Sequence, residues 1–282
     1  MSKVTKTILG LLFLLLVGIG GLYLEATFFA PNRLTLREES IVDQRIPESS
    51  SIFQVAYISD FHYNQFMDQA KLDKMIQLIN QQAVDVILFG GDLISDLNAH
   101  PLSSEQQSQL LQGLDQLSAP LGKFAILGDG DLESEYSKTL SSSLLTKADF
   151  EILDNQIIQL VNHEQQPILR LIGINQQADS ELKSLTQELD DSLYTLLISH
   201  KASQLSLVEA SAIDLLLSGH THGGQINVPL LRDTYLGLEI HTKPTQIVKT
   251  TRIDVSNGVS QRIENRRLFS NPQVSIYSFK SK

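Results

Sequence analysis

Two short stretches carry side chains whose types and spacing suit chemistry on a bound ion: "SDFHY", with Asp60 and His62, and "SGHTHGGQ", with His220 and His222. In extended backbone, residues two apart point the same way, so each pair can address one site. Three further candidates stand alone: Asp92 in "FGGDLISD", Asp129 in "LGDGDLE" and His200 in "LISHK". Together these are three carboxylates and four imidazoles, a donor set suited to Mn, Fe, Zn or Mg. The chain has no cysteine, so thiolate clusters and disulfides are excluded. Three aspartates ionised in one pocket would repel one another, and two divalent cations would offset that repulsion. Taken singly, each residue has a plainer reading. An aspartate after a strand is commonly a turn or cap residue, and His62 or His200 alone could be an ordinary histidine. His220 and His222 resist that reading, because two imidazoles in a Gly-flanked loop after a buried strand serve no packing purpose. Asp96, Asp131 and Glu133 read as solvated turn or cap residues, and His100, His163 and His241 as solvated.

The elements that must position these residues alternate between strand and helix. "FQVAYIS", "VDVILF" and "KFAIL" read as strands, with a helix over "DQAKLDKMIQLINQQ" that shows Leu72, Met75, Ile76 and Ile79 on one face. A second helix over "SSEQQSQLLQGLDQL" opens with a Ser-x-x-Gln signal at Ser104 and Gln107. "QIIQLV" and "PILRLIGI" flank a polar turn and read as a hairpin, so the sheet structure is mixed. "SLYTLLIS", "SQLSLVEA" and "DLLLS" continue as strand, helix, strand, and the tail "VSNGVSQRIENRRLFSNPQVSIYSF" as closing strands around a polar loop. The class is α/β. Five of the strands end in Asp60 and His62, Asp92, Asp129, His200, and His220 with His222. Ligands bind beyond the carboxyl ends of strands in open α/β sheets, so one rim would receive all seven side chains.

In that order, "SDFHY", "GGDLISD", "GDGDLE", "LISH" and "GHTHGGQ" make the chain resemble the calcineurin-like metallophosphoesterases over about Val55 to Pro229. The resemblance implies two packed mixed β-sheets flanked by helices, with a dinuclear metal centre at the strand ends. It implies Asp60, His62 and His222 on a first metal, Asp129, His200 and His220 on a second, and Asp92 bridging. It also puts Asp92, His200 and His220 in the catalytic set, and implies hydrolysis of a phosphoester or pyrophosphate bond by metal-activated hydroxide. Gly223 and Gly224 fit a close backbone approach to that centre. One departure stands out. Where the family usually has Gly-Asn-His and an acidic residue, this chain has Gly128-Asp129-Gly130-Asp131. Aspartate keeps an oxygen ligand, but glycine removes an imidazole that the family is thought to use on the leaving group. The alternative reading is therefore a non-catalytic metal- or phosphate-binding module derived from that fold.

Ile8 to Leu24 is 17 residues without a charge, preceded by Lys3 and Lys6. This reads as a membrane anchor over residues 1–31, followed by a linker over 32–51 and the metallophosphoesterase domain over 52–282. A cleaved signal peptide is the competing reading; Phe28, three residues before a cut after Ala30, disfavours cleavage there and leaves a cut after Gly20 as the alternative. Lys3 and Lys6 on one side face Arg33 and Arg37 on the other, so the free amino terminus and the shorter distance tip the reading to a single-pass topology with the N-terminus inside and the catalytic domain outside the cytoplasm. The chain carries 22 basic and 32 acidic residues, a net charge of −10, which argues against a nucleic-acid backbone as partner. A phosphate-ester or pyrophosphate substrate, lipid-linked in view of the anchor, fits better. The charge is uneven: from Leu231 onward nine basic residues stand against four acidic ones. Among them Arg262, Arg266 and Arg267 read first as a solvated charged loop, and their guanidinium groups also suit phosphate oxygens, which makes Arg266 or Arg267 the alternative substrate contact.

Overall fold

The computed structural model describes residues 2–48, 52–162, 164–175, 183, 186–208, 212–228, 244–262 and 264–282. In chain order the elements are α1 (Lys3–Leu24), β1 (Thr35–Val42), β2 (Phe53–Ile58), α2 (Gln69–Asn80), β3 (Val86–Phe89), α3 (Ser104–Asp115), β4 (Lys123–Ala125), α4 (Glu135–Lys147), β5 (Phe150–Ile152), β6 (Gln156–Val161), β7 (Pro167–Ile174), β8 (Tyr194–Ser199), β9 (Leu215–Ser218), β10 (Thr245–Val248), β11 (Thr251–Val255) and β12 (Gln273–Lys280). Among the described residues the strands form two six-stranded sheets, ordered β1-β12-β2-β3-β4-β5 and β10-β11-β9-β8-β7-β6. Both are mixed. β2 through β5 run parallel and β12 antiparallel to β2, while β7, β8, β9 and β11 run parallel between antiparallel edges.

Alternation of side chains along each strand builds the layers. Val55, Tyr57, Val86 and Leu88 of the first sheet meet Leu169, Leu171, Leu196, Ile198, Leu215 and Leu217 of the second. The intervening residues Ala56, Ile58, Ile87 and Phe89 face α2, α3 and α4, whose Leu72, Met75, Ile79, Leu110, Leu114 and Leu145 complete that layer. Ile172, Leu197, Leu216 and Ile253 form the opposite outer layer, against a short 3₁₀ segment. Strands buried on both faces read as unbroken apolar runs, which is why "VILF" and "LLLS" show no alternation.

Several local expectations change. The α3 capping box is built from Ser103 and Gln106, one residue earlier than the Ser104 and Gln107 signal. "SQLSLVEA" forms a 3₁₀ segment over Ala202–Leu207 instead of a helix, and residues 209–211 lie outside the description. α4 and β5 were not legible, since "EYSKTLSSSLLTK" is rich in serine; its start is fixed by Ser134, whose side chain accepts from Ser137 N. The stretch 32–51 is more than a linker. Thr35–Val42 pairs with β12 over eight residues, and its charges are matched by partners distant in sequence: Arg37 to Asp254 at 3.2 Å and Arg252 to Glu39 at 2.7 Å.

α1 continues through wider and tighter turns to Asn32, a helical run long and apolar enough to cross a membrane, with its apolar stretch uncovered by the domain. Only its end docks. Ala26, Ala30 and Pro31 are buried, and Arg267 N donates to Ala26 O at 2.8 Å.

Candidate metal centre

Parallel strands deliver the seven candidates to one rim. β2, β3 and β4 lead into Asp60 and His62, Asp92, and Asp129; β8 and β9 of the other sheet lead into His200, and into His220 with His222. The loops are tied to one another by main-chain bonds, Asp60 N to Gly91 O at 2.9 Å and Gly219 N to His200 O at 3.1 Å. Asp60, His62, Asp92, His220 and His222 all adopt left-handed backbone, with φ of 59°, 45°, 59°, 66° and 51°. Non-glycine residues rarely sit there without a surrounding structure that holds them, and such strain gathers at functional sites.

Their ligating atoms converge in three groups, each with its atoms within 4.8 Å of one another: Asp60, His62 and His222; Asp129, His200 and His220; and Asp60, Asp92 and His200. The third group joins the other two. All seven residues are buried except Asp129 and His220, which are partly open. Asp92 Oδ2 and His200 Nε2 face each other at 3.2 Å without hydrogen-bond geometry. These two atoms and His220 Nδ1 have no hydrogen-bond partner among the described residues. Each faces a carboxylate or imidazole neighbour, Asp92 Oδ2 to His200 Nε2 and His220 Nδ1 to Asp129 Oδ2 at 3.1 Å, but buried lone pairs without well-formed hydrogen bonds are costly, and a cation accepting them removes that cost. The residues therefore fit divalent metals.

The far nitrogens of the imidazoles are held. His200 Nδ1 lies 2.8 Å from Gly90 O, His222 Nδ1 2.9 Å from Ser260 O, and His62 Nδ1 2.6 Å from Ser95 Oγ. A bond at one ring nitrogen orients the other toward a metal. Burial keeps His62 neutral and pulls His222 down to about 3. His200 behaves oppositely: burial disfavours its charge, but the adjoining Asp92 carboxylate outweighs it and raises the imidazole to about 10. Against the cost of burial, Asp129 is held down at about 2 by His220 and by Lys201, whose Nζ stands 2.9 Å from Oδ1.

Three assignments need correction. Asp131 is fully buried and takes the N–H groups of Asp92, Leu93, Ile94 and Gly128 and the Ser141 hydroxyl, so it is a scaffold carboxylate and not a solvated turn residue. Arg267 is also fully buried, its guanidinium bonded to the main-chain oxygens of His222, Asn257, Ser260 and Ser270, with burial pulling it down to about 9. It supports His222 from behind and cannot meet substrate. Gly223, at φ 60°, makes its close approach to Asn257, where a Cβ would stand 2.0 Å from Oδ1.

A cavity of about 510 Å³ opens onto the centre, lined by His62, Asp92, Asp129 and Gly130 and, further out, by Asp96, His100, Glu133 and Arg262. Among the described residues of the tail, Arg262, not Arg266 or Arg267, is thus the arginine that reaches this space. His163 and His241 lie outside the described residues. Lys201 was missed; its only signal in the sequence is adjacency to His200.

Residues 53–224 match the model of the calcineurin-like phosphoesterases. The chain belongs to that family. Like other calcineurin-like members, it is a metal-dependent phosphoesterase. It is 26% identical to the metallophosphoesterase YkuE of Bacillus subtilis, over 93% of this chain and 91% of that one. It is 28% identical to the phosphodiesterase YaeI of Escherichia coli, over 68% of each chain. It is 24% identical to the UDP-2,3-diacylglucosamine pyrophosphatase LpxG of Chlamydia muridarum, over 73% of this chain and 74% of that one.

Proposed function

We propose that the protein is a membrane-anchored phosphohydrolase that holds two divalent cations and cleaves a lipid-linked phosphoester or pyrophosphate. Asp60, His62 and His222 would hold one cation and Asp129, His200 and His220 the other, with Asp92 shared between them. The observation that carries this reading is the convergence of three overlapping ligand groups in which Asp92 Oδ2, His200 Nε2 and His220 Nδ1 are buried without hydrogen-bond partners among the described residues. Such a pair of cations supplies activated water and charge neutralisation on the phosphoryl oxygens. The chain's own residues set the rest. Gly90 O, Ser260 O and Ser95 orient the imidazoles, Lys201 neutralises Asp129, and Arg262 offers positive charge to an anionic substrate entering the cavity. Gly130 offers no proton to the leaving oxygen, which favours leaving groups stable as anions.

A pyrophosphate has such a leaving group. The Chlamydia relative named for a pyrophosphate within an acylated, nucleotide-linked sugar supports a substrate of that class. The docked end of the helical run speaks against a cut after Ala30, which would remove the Ala26 contact; terminal sequencing that finds a mature chain starting near Gly21 would contradict the anchor. In this reading Lys3 and Lys6 remain in the cytoplasm and the catalytic domain lies outside it.

The test pairs metal analysis of protein purified without chelator with hydrolysis of an aryl phosphate monoester, an aryl phosphodiester and a nucleoside diphosphate ester. Turnover that disappears with metal removal and returns on metal addition is expected. Stoichiometric metal with no turnover of any ester would favour a binding module.

A further inference from the structure

The end of α1 and the rim of the metal centre are one assembly. Arg267 N donates to Ala26 O, and Gln261 Nε2 donates to Pro31 O at 3.0 Å. The Arg266 guanidinium lies over the Tyr23 ring, 5.7 Å from its centroid. Arg33 closes this end with a two-point pair to Glu25, at 2.6 and 3.2 Å. Ala26 is only two residues beyond Leu24, about 3 Å of helix rise past the end of the uncharged run. Whatever the tilt of the helix, the loop that grips Ala26 therefore stands at the level where the apolar segment stops.

That loop joins β11 to β12 and carries Ser260 and Arg267, the supports of His222. It is also joined to the segment leaving His222: Leu268 N donates to Gln225 O at 3.0 Å and Asn227 N to Leu268 O at 2.8 Å. Large apolar side chains stand open around this junction. Phe269 is 61% exposed and at φ 55°, a strained setting for an aromatic residue, Ile226 is 38% exposed, and Phe28 and Phe29 are similarly open on the helix end. Arg266, ion-paired with Glu264 at 3.1 Å, is open beside them, and Arg262 of the same loop lines the cavity.

We infer that this rim, formed by the β11–β12 loop and the segment from Gln225 to Asn227, rests on the bilayer surface and sets the cavity against it. Phe269 and Ile226 enter the boundary between headgroups and acyl chains, as amphipathic membrane-surface segments do. The occupant of the rim is a lipid surface, and the phosphate brought to the metals is one presented at that surface. The inference rests on the anchored reading above.

The chain contains no tryptophan, so a single introduced one is an unambiguous reporter. The full chain carrying Phe269→Trp is reconstituted in vesicles of phosphatidylcholine and phosphatidylglycerol with brominated acyl chains. Val42→Trp serves as the comparison. Val42 is 55% exposed at the far end of β1, seven residues and about 23 Å from Thr35 along the strand. Phe269→Trp should be quenched about twofold or more, as expected of a side chain at the acyl boundary, with Val42→Trp unaffected. Equal quenching of both, or of neither, in protein that floats with the vesicles overturns this inference alone. Protein that fails to float contradicts the anchor, and the inference falls with it.

Discussion

Asp131 accepts the main-chain N–H of Asp92 at 2.8 Å, so the aspartate between the two ligand groups is held in its left-handed conformation by a second aspartate buried behind it. The same carboxylate takes three more N–H groups and the Ser141 hydroxyl. Asp131→Ala would strand those donors. Each buried donor left unmatched costs about 1–3 kcal/mol, so the variant should lose on the order of 3 kcal/mol or more of stability and retain little metal. Urea unfolding with metal analysis checks this. A midpoint unchanged from the parent would remove Asp131 from the scaffold.

Gly130 has a steric reason to be glycine. A Cβ there would stand 2.3 Å from Ile94 O, and Gly130 N donates to Asp92 Oδ1 at 2.7 Å. Reintroducing the family's imidazole by Gly130→His must therefore push main chain apart beside Asp92. Both Gly130→His and Gly130→Ala should destabilise by about 1–3 kcal/mol, the usual range for overpacking, and slow turnover of every substrate. In the parent, rates across esters sharing one phosphoryl group should fall steeply as the leaving group becomes more basic. A flat dependence would mean that another donor serves the leaving oxygen.

Metal uptake should release protons. In the metal-free protein the Asp92 carboxylate outweighs burial and raises His200 to about 10, so at neutral pH its imidazole is charged and must lose a proton to ligate. His62 and His222, both lowered by burial, are already neutral. Metal loading at pH 7 should thus free roughly one proton from His200, and affinity should fall as the pH is lowered. Titration calorimetry in buffers of different ionisation enthalpy reads this directly. His200→Gln should abolish the release, and a parent protein that releases none would contradict the charged state of His200.

β1 makes the boundary of the catalytic domain testable. A chain starting at Ser51 deletes the strand that covers the edge of β12 and removes Ile41 from the core. It should unfold at lower urea than a chain starting at Arg33 and aggregate more readily, because an open strand edge is a template for pairing. Equal midpoints would restore residues 32–51 to a mere linker.

The seven candidate ligands were legible because each follows an apolar strand, and strand ends of an α/β fold share a rim. What holds them was not. Ser260 supports His222 from 38 positions further along the chain, and Arg267 from 45. No local pattern signals such pairings. Asp131 was misread for a related reason: in "GDGDLE" a buried carboxylate that collects main-chain donors has the same local sequence as a solvated turn. β1 looked like a polar linker because "TLREESIV" carries three charges, and two of them, Arg37 and Glu39, are matched by Asp254 and Arg252 only once β11 is in place. The left-handed backbone of Asp60, His62, Asp92, His220 and His222 is likewise set by loops packed on one another, with no glycine at those positions to announce it.

Metal stoichiometry most directly tests a single two-metal site shared through Asp92. Protein purified without chelator should hold about two divalent ions per chain, as two-metal hydrolytic sites do. Asp92→Asn should lower the occupancy of both positions together, whereas His222→Ala should empty chiefly one. Stoichiometric binding left unchanged by Asp92→Asn would contradict the bridge.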